Sequence, residues 1–442
     1  MSDRILIKNG KVVFETKVEK ANILVEDGLI KDIGNLEISD AEIIDASDNY
    51  VLPGFIDMHT HIDDFIGKYY LSDNYTSASE IALKNGITTL FTFITQKNGN
   101  TLVGELELAL EKLDYQRECA KKENKQLCSF AYHLTPTSFD DDSWKEIKLL
   151  VEAGFKTFKL YTTYKGAGIY SSYVELEKVL YKLKELDVTT LIHCEDNKFI
   201  ESVDLKNIDL SNPFSHTLLR PKEAEVKSIE KILDIAKKTQ ANIHIVHVST
   251  AEGAKLIDEY CKEYSNVTCE TCPQYLFIDD DKLKTPGGHR WICSPPLRDK
   301  DNAEKMRSMA LHNFFEVYAT DHCAFLKKDK DTFTGDIRDV PNGLAGIGAL
   351  PDLIIGMYNE INDDALINFA QKLSTNPAKI TGLFPMKGAV LKNADADLVI
   401  LNTNGSEHGI VSSESNCYNP YYGMKSKLSI KATLLKGIPM HF

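Results

Sequence analysis

The 442-residue chain has no apolar run long enough to span a membrane. It also has no apolar segment behind its first residues, Met1-Ser2-Asp3-Arg4-Ile5-Leu6-Ile7. A membrane anchor and a secretory leader are therefore not expected, and a cytoplasmic protein is. Basic charge is short: 51 Lys and Arg stand against 65 Asp and Glu, for a net charge of −14. That sign repels nucleic-acid phosphates and anionic lipid, so neither is an expected partner. The nine cysteines are odd in number and scattered, which argues against a disulfide framework. Cys269 and Cys272 form a lone C-x-x-C followed by Pro273, and read as packed thiols rather than a zinc or redox site. Internal repeats and low-complexity linkers are absent too.

What is present changes character twice. The first 50 residues read as short strands with tight turns: Ile5-Leu6-Ile7, a hairpin at Asn9-Gly10, then Lys11-Val12-Val13-Phe14. Asn22–Val25 and Leu29–Ile33 flank a second turn at Asp27-Gly28. From 53 onward apolar strands alternate with amphipathic helices. The strand candidates are 53–59, 87–94, 128–134, 155–161, 188–193, 242–249, 267–271 and 315–321, with helices such as 102–122, 172–186, 224–239 and 251–264. Eight such units in about 330 residues predict a (β/α)8 barrel, a TIM barrel of α/β class. Strands return at 387–390, 397–401 and 430–435. The expected domains are thus a barrel over 53–387 and a small β-sandwich assembled from 1–52 and 388–442.

In such barrels chemistry sits at the C-terminal ends of the strands. His59 and His61 are two apart in Pro53-Gly54-Phe55-Ile56-Asp57-Met58-His59-Thr60-His61, so on a strand they share a face. Lys159 lies near the end of the fourth strand, His193 ends the fifth, His247 the sixth and Asp321 the eighth. Alone, a strand-end histidine is more often a hydrogen-bonded core or surface residue, Lys159 would usually be a salt-bridge or surface lysine, and Asp321 could cap the following turn. Six on one rim read jointly as a metal centre. His244 and His247 are three apart, so on a continuous strand only one faces the barrel, and His247 is nearer the rim. His322, next to Asp321, is expected to face away. Four neutral histidines carry no charge to offset two divalent cations. A lysine ammonium cannot bind a metal, so Lys159 belongs in the set only as a carbamate formed with CO2, a bidentate anion.

Together these residues resemble the amidohydrolase superfamily, and within it the dihydropyrimidinase/hydantoinase family of cyclic amide hydrolases. The likeness also runs through Phe158-Lys159-Leu160-Tyr161-Thr162-Thr163-Tyr164-Lys165 and Cys269-Glu270-Thr271-Cys272-Pro273-Gln274-Tyr275-Leu276. It continues in Cys293-Ser294-Pro295-Pro296-Leu297-Arg298, Thr320-Asp321-His322-Cys323-Ala324-Phe325 and Val340-Pro341-Asn342-Gly343. The resemblance implies two divalent metal ions, zinc by preference. His59, His61, carboxylated Lys159 and Asp321 would hold one, and Lys159, His193 and His247 the other. A bridging hydroxide of this binuclear centre would attack the ring amide and give an N-carbamoyl amino acid. Asp321 would carry the proton, Tyr164 would stabilise the oxyanion, and Ser294 and Asn342 would bind the ring amides. The family also implies a homo-oligomer, a tetramer or dimer.

One departure is Ile62-Asp63-Asp64-Phe65-Ile66-Gly67, where family members carry Met-Pro-Phe-Gly. Asp63 and Asp64 argue for a small or polar ring substituent. The alternatives are an allantoinase, which Trp291–Pro296 also suits, or a dihydroorotase. The latter carries an arginine where Asp63 stands, and that carboxylate would repel a substrate carboxylate. A non-catalytic scaffold relative would have lost ligands, and all six are present.

Overall fold

The computed structural model describes residues 4–440. Eight strands form one parallel sheet. We label them β1 (Phe55–Asp57), β2 (Ile87–Thr95), β3 (Ser129–Thr135), β4 (Thr157–Tyr161), β5 (Thr189–His193), β6 (Asn242–Ile245), β7 (Val267–Thr271) and β8 (Val317–Tyr318). Spatial order follows chain order from β1 to β8. β2 is buried at every position but its last, as expected for a parallel strand covered on both faces. Helices such as Leu102–Lys122, Tyr173–Glu185 and Ala251–Cys261 cover the outside. Thr101, Ser172 and Thr250 cap them, each hydroxyl accepting a backbone N–H of the first turn.

The ring closes just above the strand ends. Thr60–His61 pairs in parallel with His322–Cys323. The buried Asp57 carboxylate accepts the Thr320 N–H at 3.1 Å and its hydroxyl at 2.6 Å. The fold is a (β/α)8 barrel.

Two further sheets use both chain ends. One runs Leu29–Gly34, Asn22–Glu26, Arg4–Lys8, Glu42–Asp45; the other Ile438–Pro439, Ser429–Leu435, Leu398–Asn402, Tyr50–Pro53, Lys11–Val13, Val18–Lys20. Ile5, Ile7, Ile23 and Val25 pack on Val51, Leu398, Ile400 and Leu434 between them, making a β-sandwich. The turn at Asp27-Gly28 joins an antiparallel hairpin, both residues at positive φ.

Two expectations change. Asn9-Gly10 does not close a hairpin: Arg4–Lys8 pairs with Asn22–Glu26, while Lys11–Val13 crosses to the other sheet. Gly10 sits at that crossing, where a Cβ would lie 2.6 Å from the Val51 side chain. Lys387-Gly388-Ala389-Val390 forms a bend, not a strand, because Gly388 turns left-handed at φ 85°; Lys387 there pairs with Asp395 and Asp397. Among the described residues no helix is long and apolar enough to cross a membrane. All nine cysteines are free, and Cys269 and Cys272 are buried.

Candidate metal centre

The end of β1 supplies two imidazoles, and the turn after β8 supplies a carboxylate. The His59 and His61 ring centres are 5.7 Å apart. Asp321 has a left-handed backbone, φ 48°, and its Oδ1 lies 3.3 Å from Nε2 of each. His59 Nδ1 is bound by the Glu270 carboxylate. A carboxylate there accepts the hydrogen bond of Nδ1–H, keeps the proton on Nδ1 and leaves the Nε2 lone pair facing Asp321.

A second group lies beside the first. The His193 and His247 rings are 4.5 Å apart, and His247 is 5.3 Å from His59. His193 Nε2 donates to Glu195 at 2.7 Å, which leaves Nδ1 free. Lys159 is 1% exposed, and its Nζ has no hydrogen-bond partner among the described residues. It lies 5.1 and 5.3 Å from the ring centres of Phe93 and Tyr161.

Alternation along β6 does not decide between its histidines. β6 ends at Ile245, and His247 has φ 39°. That left-handed residue breaks the two-residue period. His244 Nε2 therefore reaches Glu270 at 3.2 Å while the His247 N–H donates to the same carboxylate, so both residues turn inward. His322 faces away as expected. Its Nε2 is on Asp73 and its Nδ1 accepts from Gly346 N–H.

The electrostatics suit metal ligands. Burial lowers the pKa of His59, of His193 to about 4, and of His247 well below the usual range, so the imidazoles are neutral. Burial works against the Asp321 charge, but the groups around it hold the carboxyl low. The three potential donor atoms, one each from His59, His61 and Asp321, lie within 4.8 Å of one another, a cluster that one cation can bind. Burial also pushes Lys159 down to about 8, which enriches the neutral amine that reacts with CO2. The donors fit a divalent ion, and the orphaned lysine fits a carbamate.

All nine residues singled out in the sequence line one cavity of about 570 Å3: His59, His61, Lys159, Tyr164, His193, His247, Ser294, Asp321 and Asn342. Tyr164 is left-handed, φ 64°, and burial raises its hydroxyl to about 12, keeping it a donor. Asn342 Nδ2 donates to Ser294 Oγ at 3.1 Å. The buried Lys330 ammonium ties their two loops together, donating to the Ile292 and Pro341 carbonyls at 2.8 and 2.7 Å. Asp64, Phe65 and Ile66 form part of the cavity wall. Phe65–Ile66 and Tyr69–Tyr70 make a small antiparallel hairpin. Asp63 is not on that wall. Its carboxylate is held by Tyr70 and Gln116, and its carbonyl by Lys112, so Asp63 engages these partners and does not offer its carboxylate directly to a ligand in this cavity.

Three charged residues behind the rim escaped sequence reasoning. Glu270 binds His59 and His244; Glu195 binds His193 and Arg220. A glutamate buried mid-strand, two after the inward Thr268, was the available signal for Glu270. No local pattern marks Glu195 or Arg220.

The amidohydrolase family profile matches residues 50–439. The chain is 32% identical over 443 residues to D-hydantoinase of Geobacillus stearothermophilus, covering 98% of this chain and 92% of the relative. It is 31% identical over 445 residues to D-phenylhydantoinase of Escherichia coli, covering 98% and 94%. The crystal structure of dihydropyrimidinase from Brevibacillus agri superposes with a TM-score of 0.90 at 28% identity, covering 99% and 94%. The chain belongs to the amidohydrolase family, in its dihydropyrimidinase/hydantoinase branch.

Proposed function

We propose that this enzyme opens the cyclic amide of dihydropyrimidines or hydantoins to N-carbamoyl amino acids. The observation that carries the reading is the convergence of His59, His61 and Asp321 beside a buried, unpartnered Lys159. His59, His61, Lys159 as its carbamate, and Asp321 would hold one divalent ion; Lys159, His193 and His247 would hold a second. Zinc suits this nitrogen-rich set. Bound divalent ions supply hydroxide at neutral pH and Lewis-acid polarisation of the carbonyl.

The chain's own groups do the rest. Ionised Asp321 takes the proton of the attacking water and returns it to the leaving nitrogen. Tyr164 donates to the oxygen on which charge develops. Ser294 and Asn342, on loops held by Lys330, orient the ring amides through their backbone atoms. The catalytic unit is residues 53–387, with 1–52 and 388–442 as the sandwich. Free thiols fit a cytoplasmic setting, and the working form is a homo-oligomer.

The test is a hydrolysis screen of dihydrouracil, dihydrothymine, hydantoin, phenylhydantoin, allantoin and dihydroorotate, alongside elemental analysis. Two divalent ions per chain and turnover of dihydropyrimidine or hydantoin rings are expected. Active protein with only traces of metal, or turnover of allantoin alone, refutes the reading.

Substrate choice follows from Asp64. One of its oxygens accepts the Phe65 N–H at 2.8 Å, which leaves a carboxylate on the cavity wall. Setting an aryl group against it costs desolvation. Hydantoin and dihydrouracil should therefore show higher kcat/KM than phenylhydantoin. Asp64→Met should shift the ratio toward phenylhydantoin by roughly tenfold. An unchanged ratio removes Asp64 from specificity.

A further inference from the structure

Arg220 follows the short helix Ser215–Leu219 and is not on the cavity wall. Its side chain is 12% exposed. The guanidinium meets two parts of the site at once. Nε donates to Glu195 Oε1 at 3.1 Å and Nη2 to Oε2 at 2.5 Å. The same Oε2 receives His193 Nε2. The guanidinium carbon also lies 4.8 Å from the Tyr164 ring centre, and that ring is 5.2 Å from the His193 ring. The arginine is itself anchored, since its carbonyl accepts from Arg298 Nη1 at 2.8 Å.

We propose that Arg220 is a positioning residue that holds His193 and Tyr164 in register without touching substrate. The proposal rests on the cyclic-amidase reading of this cavity. Glu195 is fully buried, and the Arg220 fork fixes both of its oxygens. Without that fork the carboxylate is free to turn, and His193 loses the partner that fixes its tautomer and ring angle. Tyr164 has a left-handed backbone, sparsely populated for a residue with a side chain, so its ring direction depends on packing. The flat cation covers one face of that ring. One group thus couples a metal-facing imidazole to the oxyanion donor. Lysine carries the charge but lacks both the fork and the flat face.

The test compares Arg220→Met, Arg220→Lys and Glu195→Gln in the zinc-loaded enzyme. Release of zinc to a chromogenic chelator is followed beside kcat and KM for hydantoin. Arg220→Met should release one zinc roughly 10- to 100-fold faster and the other at the wild-type rate. Its kcat should fall by a similar factor with KM near wild type, and Arg220→Lys should lie between. Glu195→Gln should copy the zinc effect with a smaller loss of kcat, because the Tyr164 contact survives. Unchanged release and kcat in Arg220→Met overturn the proposal. So does equal acceleration of both zincs with a lowered Tm, which signals general loosening. If Arg220→Met does not fold, Glu195→Gln decides, and wild-type release from it refutes the coupling. If the wild type opens no cyclic amide, the functional reading fails while zinc release still judges Arg220.

Discussion

Lys159→Ala should cut kcat/KM for the ring substrate by at least roughly a thousandfold, the factor that several kcal/mol of lost transition-state stabilisation represents. The reason lies in the isolation of this amine. Its Nζ is buried and without a hydrogen-bond partner among the described residues, an expensive state for an ammonium. Burial moves its pKa down to about 8, so a neutral fraction exists at physiological pH. Addition of CO2 to that neutral amine, with release of one proton, would give an anionic carbamate at the site. Alanine removes the anion and leaves a space for a short carboxylate. Acetate or propionate should therefore restore part of the activity, measured as steady-state rate against added acid. Near-native turnover of Lys159→Ala, or an uncarboxylated lysine with both ions in place, refutes the carbamate.

Asp321→Asn should lower kcat by roughly 10²–10⁴, the range of general acid–base catalysis. The amide keeps an oxygen near His59 and His61 but cannot take the proton. The wild-type carboxyl is held low against burial by the groups around it, and the ionised form is the one a proton acceptor needs. Single-turnover rates on metal-replete variant separate proton transfer from ion loss. Near-wild-type rates would mean that another base acts. The neighbouring His322 is no substitute, because both of its ring nitrogens are engaged with Asp73 and the Gly346 amide, away from the cavity.

Much of the architecture is legible in the sequence because parallel barrel strands are apolar almost throughout. The run 87–94 stands within one residue of β2, and 267–271 coincides with β7. Rim residues stand out because each is a polar group ending such a run, which is why His59, Lys159, His193 and Asp321 could be read together. Legibility fails where local rules stop applying. His244 and His247 both turn inward because β6 ends two residues before a left-handed His247, and periodicity cannot foresee that kink. Glu195 and Arg220 meet across 25 positions, a distance no local pattern spans. At Asn9-Gly10 a sound turn signal serves a crossover between sheets instead of a hairpin.

The seam of the barrel passes through the candidate site. Thr60 pairs with His322, and Asp57 holds Thr320 across 263 positions. His59 and His61 therefore stand on the first stave of the ring and Asp321 on the last. A nascent chain emerging as far as β7 carries five of the six ligand candidates and no seam. Loop closure of that span is the costly step for such a topology. An ion bound by His59, His61 and Asp321 would clasp the two ends of the ring. Its binding free energy would then act selectively on the closed state, making metal supply a determinant of how much newly made protein completes its fold.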